Sequence, residues 1–117
     1  MRTQRSQVQI NIDCADPDAL ADFYCAALGY TREAGVGQYR SIRASDGRPK
    51  LVFQQVPEPR AGKNRVHLDF IVGDDIEGEA ARWESLGARR VEKFREFGLE
   101  WIVMHDPEGN EICLCDA

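Results

Sequence analysis

The feature that most constrains this chain is an internal repeat. Val8-Gln9-Ile10-Asn11-Ile12-Asp13 alternates apolar and polar residues, the period-two pattern of a strand with one buried face. Asp16-Pro17 then supplies an N-cap and a proline at the first helical position. Leu20, Phe23, Tyr24, Ala27 and Leu28 recur at helical spacing before Gly29 stops the run. The same order returns 58 residues later. Val66-His67-Leu68-Asp69-Phe70-Ile71-Val72 reads as the strand, and Asp74 as the N-cap with Glu77 as its capping-box partner. Ile76, Ala80 and Trp83 form the helical stripe, and Leu86-Gly87 closes it. Only Val, Asp, Leu and Gly coincide in the gapless overlay, but the shared order of strand, cap, helix and glycine stop marks a duplication.

Each helix is followed by three short strand-like runs. In the first half these are Tyr30–Ala34, Gln38–Ala44 and Lys50–Val56; in the second, Ala88–Phe94, Leu99–His105 and Asn110–Cys115. Gly35-Val36-Gly37, Ser45-Asp46-Gly47-Arg48-Pro49, Glu96-Phe97-Gly98 and Asp106-Pro107-Glu108-Gly109 hold the turn-forming residues between them. The chain therefore reads as an α+β protein of two βαβββ modules, residues 7–56 and 65–115, with a Pro- and Gly-bearing linker over 57–64. At 117 residues it is expected to form a single domain.

Charge and cysteine content narrow the function classes. With 15 Lys and Arg against 20 Asp and Glu, the net charge of −5 argues against nucleic acid as a partner. No apolar run approaches the roughly 20 residues of a membrane span, so no membrane partner is expected. Met1-Arg2-Thr3-Gln4-Arg5 is basic but leads into no apolar stretch, which speaks against a secretion signal and for a cytoplasmic location. Cys14, Cys25, Cys113 and Cys115 show no CxxC spacing, and with His67 and His105 they make no zinc-finger pattern; they read as reduced thiols.

Strand parity selects candidate site residues. If Val8, Ile10 and Ile12 face the helix, Gln9, Asn11 and Asp13 face away from it. By the same rule Val66, Leu68 and Phe70 pack on the second helix, leaving His67, Asp69 and Ile71 on the open face. On the last strand Ile112 and Leu114 pack inward, and Glu111, Cys113 and Cys115 join the open face. In Leu51–Val56 the parity leaves Gln54 and Gln55 both open. Trp83 is explained as core by its helical spacing. Trp101 alternates with Leu99 and Val103, so it reads either as core or, as an aromatic on the open face, as a candidate for stacking on a ligand. Asp69 is expected to pair with Arg65 or Arg40, since an unpaired buried carboxylate is costly.

Two stretches carry a family resemblance: Asp16-Pro17-Asp18-Ala19-Leu20-Ala21-Asp22-Phe23-Tyr24 through Leu28-Gly29, and Asp106-Pro107-Glu108-Gly109-Asn110-Glu111. With Lys63-Asn64-Arg65-Val66-His67-Leu68-Asp69, they resemble the glyoxalase-like and bleomycin-resistance-like members of the vicinal oxygen chelate superfamily, over about residues 7–115. The resemblance implies a curved mixed sheet around a concave cavity, a small-molecule ligand and a homodimer. It places the family's metal ligands at Gln9, Gln54, His67 and Cys113. Two neutral amides and a thiol make a poor set for a hard cation, and no matched position supplies the basic carboxylate of a glyoxalase. No cofactor is therefore expected, and no catalytic residue is assigned. The expected role is binding of a small organic molecule by a cavity lined by Gln9, Asn11, Gln54, His67, Asp69, Trp101 and Cys113. The alternatives are a lyase, isomerase or dioxygenase using Zn, Ni, Mn or Fe in an altered site, and an antibiotic-sequestering resistance protein.

Overall fold

Local chemistry starts each half in the same way. β1 (Gln9–Cys14) runs into α1 (Pro17–Leu28), where the Asp16 carboxylate accepts a hydrogen bond from the Ala19 amide at 3.1 Å. Gly29 ends the helix in the left-handed conformation at φ 74°, where other residues would be strained. These elements belong to a computed structural model that describes residues 6–117; the basic segment Met1–Arg5 lies outside the described residues. β2 (Thr31–Arg32), β3 (Tyr39–Arg43) and β4 (Lys50–Gln55) complete a four-stranded mixed sheet in the order β1-β4-β3-β2, with β1 and β4 parallel.

The second half repeats the plan. β5 (Leu68–Ile71), α2 (Ile76–Leu86), β6 (Arg89–Glu96), β7 (Leu99–His105) and β8 (Glu111–Cys115) form a sheet ordered β5-β8-β7-β6, with β5 and β8 parallel. The protein is thus α+β, two βαβββ modules that each build one four-stranded mixed sheet carrying one helix. The compact units divide between Arg60 and Ala61, inside the stretch read as a linker.

Each unit has its own core. In the first, Leu20, Phe23 and Tyr24 of α1 pack on the sheet side that bears Ile42, Leu51 and Phe53, with Tyr24 stacked on Phe53 at 5.7 Å. In the second, fully buried Trp83 meets Phe70 at 5.2 Å, and Ile102, Met104, Ile112 and Leu114 are buried with it. Burying these side chains contributes on the order of 2 kcal/mol each.

Three expectations are corrected. The second helix is capped by Asp75, whose carboxylate accepts from the Gly78 amide at 3.0 Å, and not by Asp74 with Glu77. Two aspartates stand in tandem, and only Asp75 directly precedes Ile76. Val8 and Val66 do not pack on the helices: they are 68% and 77% exposed. Both precede the first paired residue of their strand, so the sheet has not yet formed where they stand. Lys63 and Asn64, read as linker, are fastened to the start of β8. The Asn64 side-chain oxygen accepts from the Glu111 amide at 3.0 Å, and Lys63 pairs with the Glu111 carboxylate.

Candidate functional site

The parallel pairing of β5 with β8 sets the site. Asp69 is the register partner of Cys113, and Ile71 of Cys115, so these four side chains share one face. His67 lies two residues before Asp69 on the same parity. Antiparallel pairing of β7 with β8 adds Trp101, Val103 and His105 opposite Cys115, Cys113 and Glu111. The helix-covered residues Ile102, Met104, Ile112 and Leu114 occupy the other face. The open face of this sheet therefore carries a polar end around His67, Asp69 and Glu111, and an aromatic end where Trp101 stacks on Phe94 at 5.6 Å.

Within the polar end the contacts are short-range and ordered. His67 Nδ1 lies 3.6 Å from Asp69 Oδ1, and Nε2 lies 3.7 Å from Glu111 Oε2. Lys63 Nζ donates to both oxygens of Glu111 at 2.8 Å, and this bond holds the Glu111 carboxyl below its usual range. Cys113 is 5% exposed. Burial, reinforced by the Asp69 charge and a hydrogen bond to that carboxylate, pushes its thiol up to about 12. Cys113 is therefore a protonated donor at neutral pH and no nucleophile. Desolvation also raises Cys115. Asp69 finds its partners in His67 and Cys113, while Arg40, one of the partners expected for it, donates to Asp18 at 2.9 Å instead.

The first unit holds the other candidates. Gln9 and Asn11 are exposed on β1, and Asn11 pairs with Val52, Asp13 with Gln54. Gln54 thus lies on the side of Asn11, and Gln55 on the other, where its amide donates to the Ala15 carbonyl at 3.2 Å. Under the repeat Asn11 corresponds to Asp69, so the position equivalent to Cys113 is Val52, and Gln54 corresponds to Cys115.

These residues do not fit the four-ligand site for a hard divalent ion. The first unit offers amides and a valine at the matching positions, and the second an imidazole and a thiol, a set without the carboxylates that a hard cation favours. A different set does converge: one donor atom each from His67, Asp69 and Cys113 lie within 4.8 Å of one another. The part of Glu111 and Lys63 was missed in the sequence. Parity put Glu111 on the open face, but nothing in the spacing announced a lysine 48 residues away as its partner.

Residues 9–115 match the model of the glyoxalase-like domain. No curated protein matches the sequence. Among solved structures, the chain is similar to a glyoxalase/bleomycin resistance protein/dioxygenase family enzyme from Burkholderia phytofirmans PsJN (18% identity, 92% of this chain and 94% of that chain, TM-score 0.79). It is also similar to a lactoylglutathione lyase from Agrobacterium tumefaciens (21% identity, 97% and 95% covered, TM-score 0.70). A third similar structure is a mutant of the fosfomycin resistance protein FosX from Listeria monocytogenes, complexed with Mn(II) and 1S,2S-dihydroxypropylphosphonic acid (12% identity, 100% and 92% covered, TM-score 0.79). At these identities the likeness is one of fold.

Proposed function

From the premise that this chain belongs to the glyoxalase-like domain family, which the match over residues 9–115 shows, we propose that it binds a small organic molecule without the conventional catalytic metal of that fold. The observation that carries this reading is the open face of the second sheet. It pairs a hydrogen-bonding end (His67, Asp69 and the Cys113 thiol) with the stacked rings of Trp101 and Phe94. A few placed polar groups beside aromatic surface suit a ligand with a flat or apolar body and a polar head.

The protonation pattern favours binding over turnover. The Cys113 thiol keeps its proton, and Glu111 is neutralised by Lys63, which makes it a weak base. The rival reading, a lyase, isomerase or dioxygenase acting through a hard divalent ion, draws on the names of the similar structures and lacks the ligands for such an ion in β1 and β4.

A thermal-shift screen of small organic molecules, with metal ions chelated, tests the reading. A binder raises the melting temperature because it stabilises the folded state alone. The expected hit loses its effect in Trp101→Ala and in His67→Ala. A hit that needs added Mn²⁺ or Ni²⁺, or one that is turned over only with such an ion, overturns the proposal.

A further inference from the structure

We propose that the cleft at the open edge of the first sheet is a site for a small molecule with a phosphate head group, its oxygens taken by Arg43, Thr31 and Ser45. The cleft encloses about 320 Å³, room for a small ligand. It lies where the edge strand β2, the end of α1 at Gly29 and the β3–β4 turn come together. Strand register builds it. Thr31 is the antiparallel partner of Arg43, which sets the two side chains next to each other on one face. Ser45 follows in the turn just past β3 and lines the same cleft.

Arg32, Arg43 and Arg48 all line the cleft, and the bonds they already make separate their roles. Arg32 is turned to α1, where it pairs with Asp18 at 2.7 Å and Asp22 at 2.6 Å. Arg48 is held by Asp46 at 2.9 Å and lies over the Tyr30 ring. It also donates to the Leu28 carbonyl at 2.8 Å, so it caps a helix that has no basic residue in its last turn. Arg43 pairs with Glu33 through Nε at 3.0 Å, and its terminal amino groups have no partner among the described residues. The Thr31 and Ser45 hydroxyls have none among them either. Glu33 also takes the Lys50 ammonium at 3.0 Å and the Ser41 hydroxyl at 2.8 Å. A single carboxylate facing both Arg43 and Lys50 leaves positive charge in surplus beside the unspent donors, in a chain whose net charge is −5. A guanidinium fork serves two phosphate oxygens, and a neighbouring hydroxyl can serve a third. Glu33 holds the Arg43 side chain in place before any anion arrives.

The cleft shares no residue with the open face of the second sheet, so either site can fail alone. Inorganic phosphate is titrated into the ¹⁵N-labelled full chain at constant ionic strength, with chloride as the balancing ion and acetate as a second probe. The expected result is a saturable shift of the Arg43 side-chain Nε–H signal and of the Thr31, Ala44 and Ser45 amides. Arg43→Gln, at an exposed position outside the core, weakens phosphate binding about tenfold or more. Thr31→Val keeps the shape and strand preference of the residue and weakens binding severalfold. Glu33→Gln removes the competing carboxylate and strengthens binding about threefold. His67→Ala and Trp101→Ala leave it unchanged. Absence of saturation, the same shifts with chloride alone, or an affinity indifferent to both Arg43→Gln and Thr31→Val overturns the site. Acetate binding as tightly as phosphate overturns the choice of head group, and weaker binding in Glu33→Gln overturns the part given to charge surplus.

Discussion

At the scale of single residues, the β6–β7 hairpin shows one side chain placed against its own preference. Phe97 and Gly98 both adopt positive φ, 53° and 76°, and join strands that end at Glu96 and begin at Leu99. Two central residues at positive φ suit Asn-Gly, and a phenylalanine there is strained. Phe97 is 97% exposed, so it gains no burial in return. Phe97→Asn is expected to stabilise the protein by about 0.5–1 kcal/mol, read as a raised urea midpoint at unchanged slope. A lowered midpoint would show that the ring is held by something other than the hairpin. The same scale explains Cys113. A small thiol between Asp69 and the core reads as packing in the sequence, and only its register with Asp69 makes it part of a donor set.

At the scale of elements, the two helix starts are alike but differ in one useful detail. Asp16 and Asp75 each accept from the amide three residues on, at 3.1 Å and 3.0 Å. Replacing either by Ala is expected to cost about 1 kcal/mol. In α2 that amide belongs to Gly78, and a β-carbon there would collide with the Asp75 carboxylate. Ordinarily Gly→Ala within a helix gains about 1 kcal/mol. Here Gly78→Ala must displace the cap, so it is expected to gain nothing in the native chain and to stabilise only in Asp75→Ala. A double-mutant cycle by chemical denaturation measures the coupling; strict additivity of the two changes would refute it.

At the scale of the whole molecule, the exposed ion pairs set the response to acid. Asp18, Glu33, Asp46, Glu77 and Glu111 all lie below the ordinary values of 3.8 for Asp and 4.5 for Glu, held first by Arg32, Lys50, Arg48, Arg90 and Lys63 respectively. A depressed carboxyl contributes its stability above the unfolded value and loses it as pH falls through the folded one. The melting temperature is therefore expected to hold steady down to about pH 5 and to fall from about pH 4.5 downward. The pairs are solvent-exposed, so about 0.5 M salt should flatten the slope. Differential scanning calorimetry across this range, with and without salt, checks both statements. A melting temperature that rises on acidification would contradict the assignment. Among the described residues no helix is long and apolar enough to cross a membrane.

The repeat, the parity of β1, β5 and β8, the glycine stop at Gly29 and the core role of Trp83 were legible in the sequence, because alternation and helical spacing are local consequences of which side chains avoid water. The fold class and the family followed from the same local marks. Local patterning could not choose between Asp74 and Asp75, since both are one helix turn from a free amide and only backbone geometry decides which reaches it. It could not see that Val8 and Val66 precede the paired part of their strands. Strand register decided the rest. It made Val52, not Gln54, the counterpart of Cys113, and it brought Asp69 beside Cys113. Folding alone carried Lys63 to Glu111 across 48 residues. Pairing between distant strands fixes which donors meet, and no period in a linear sequence encodes that distance.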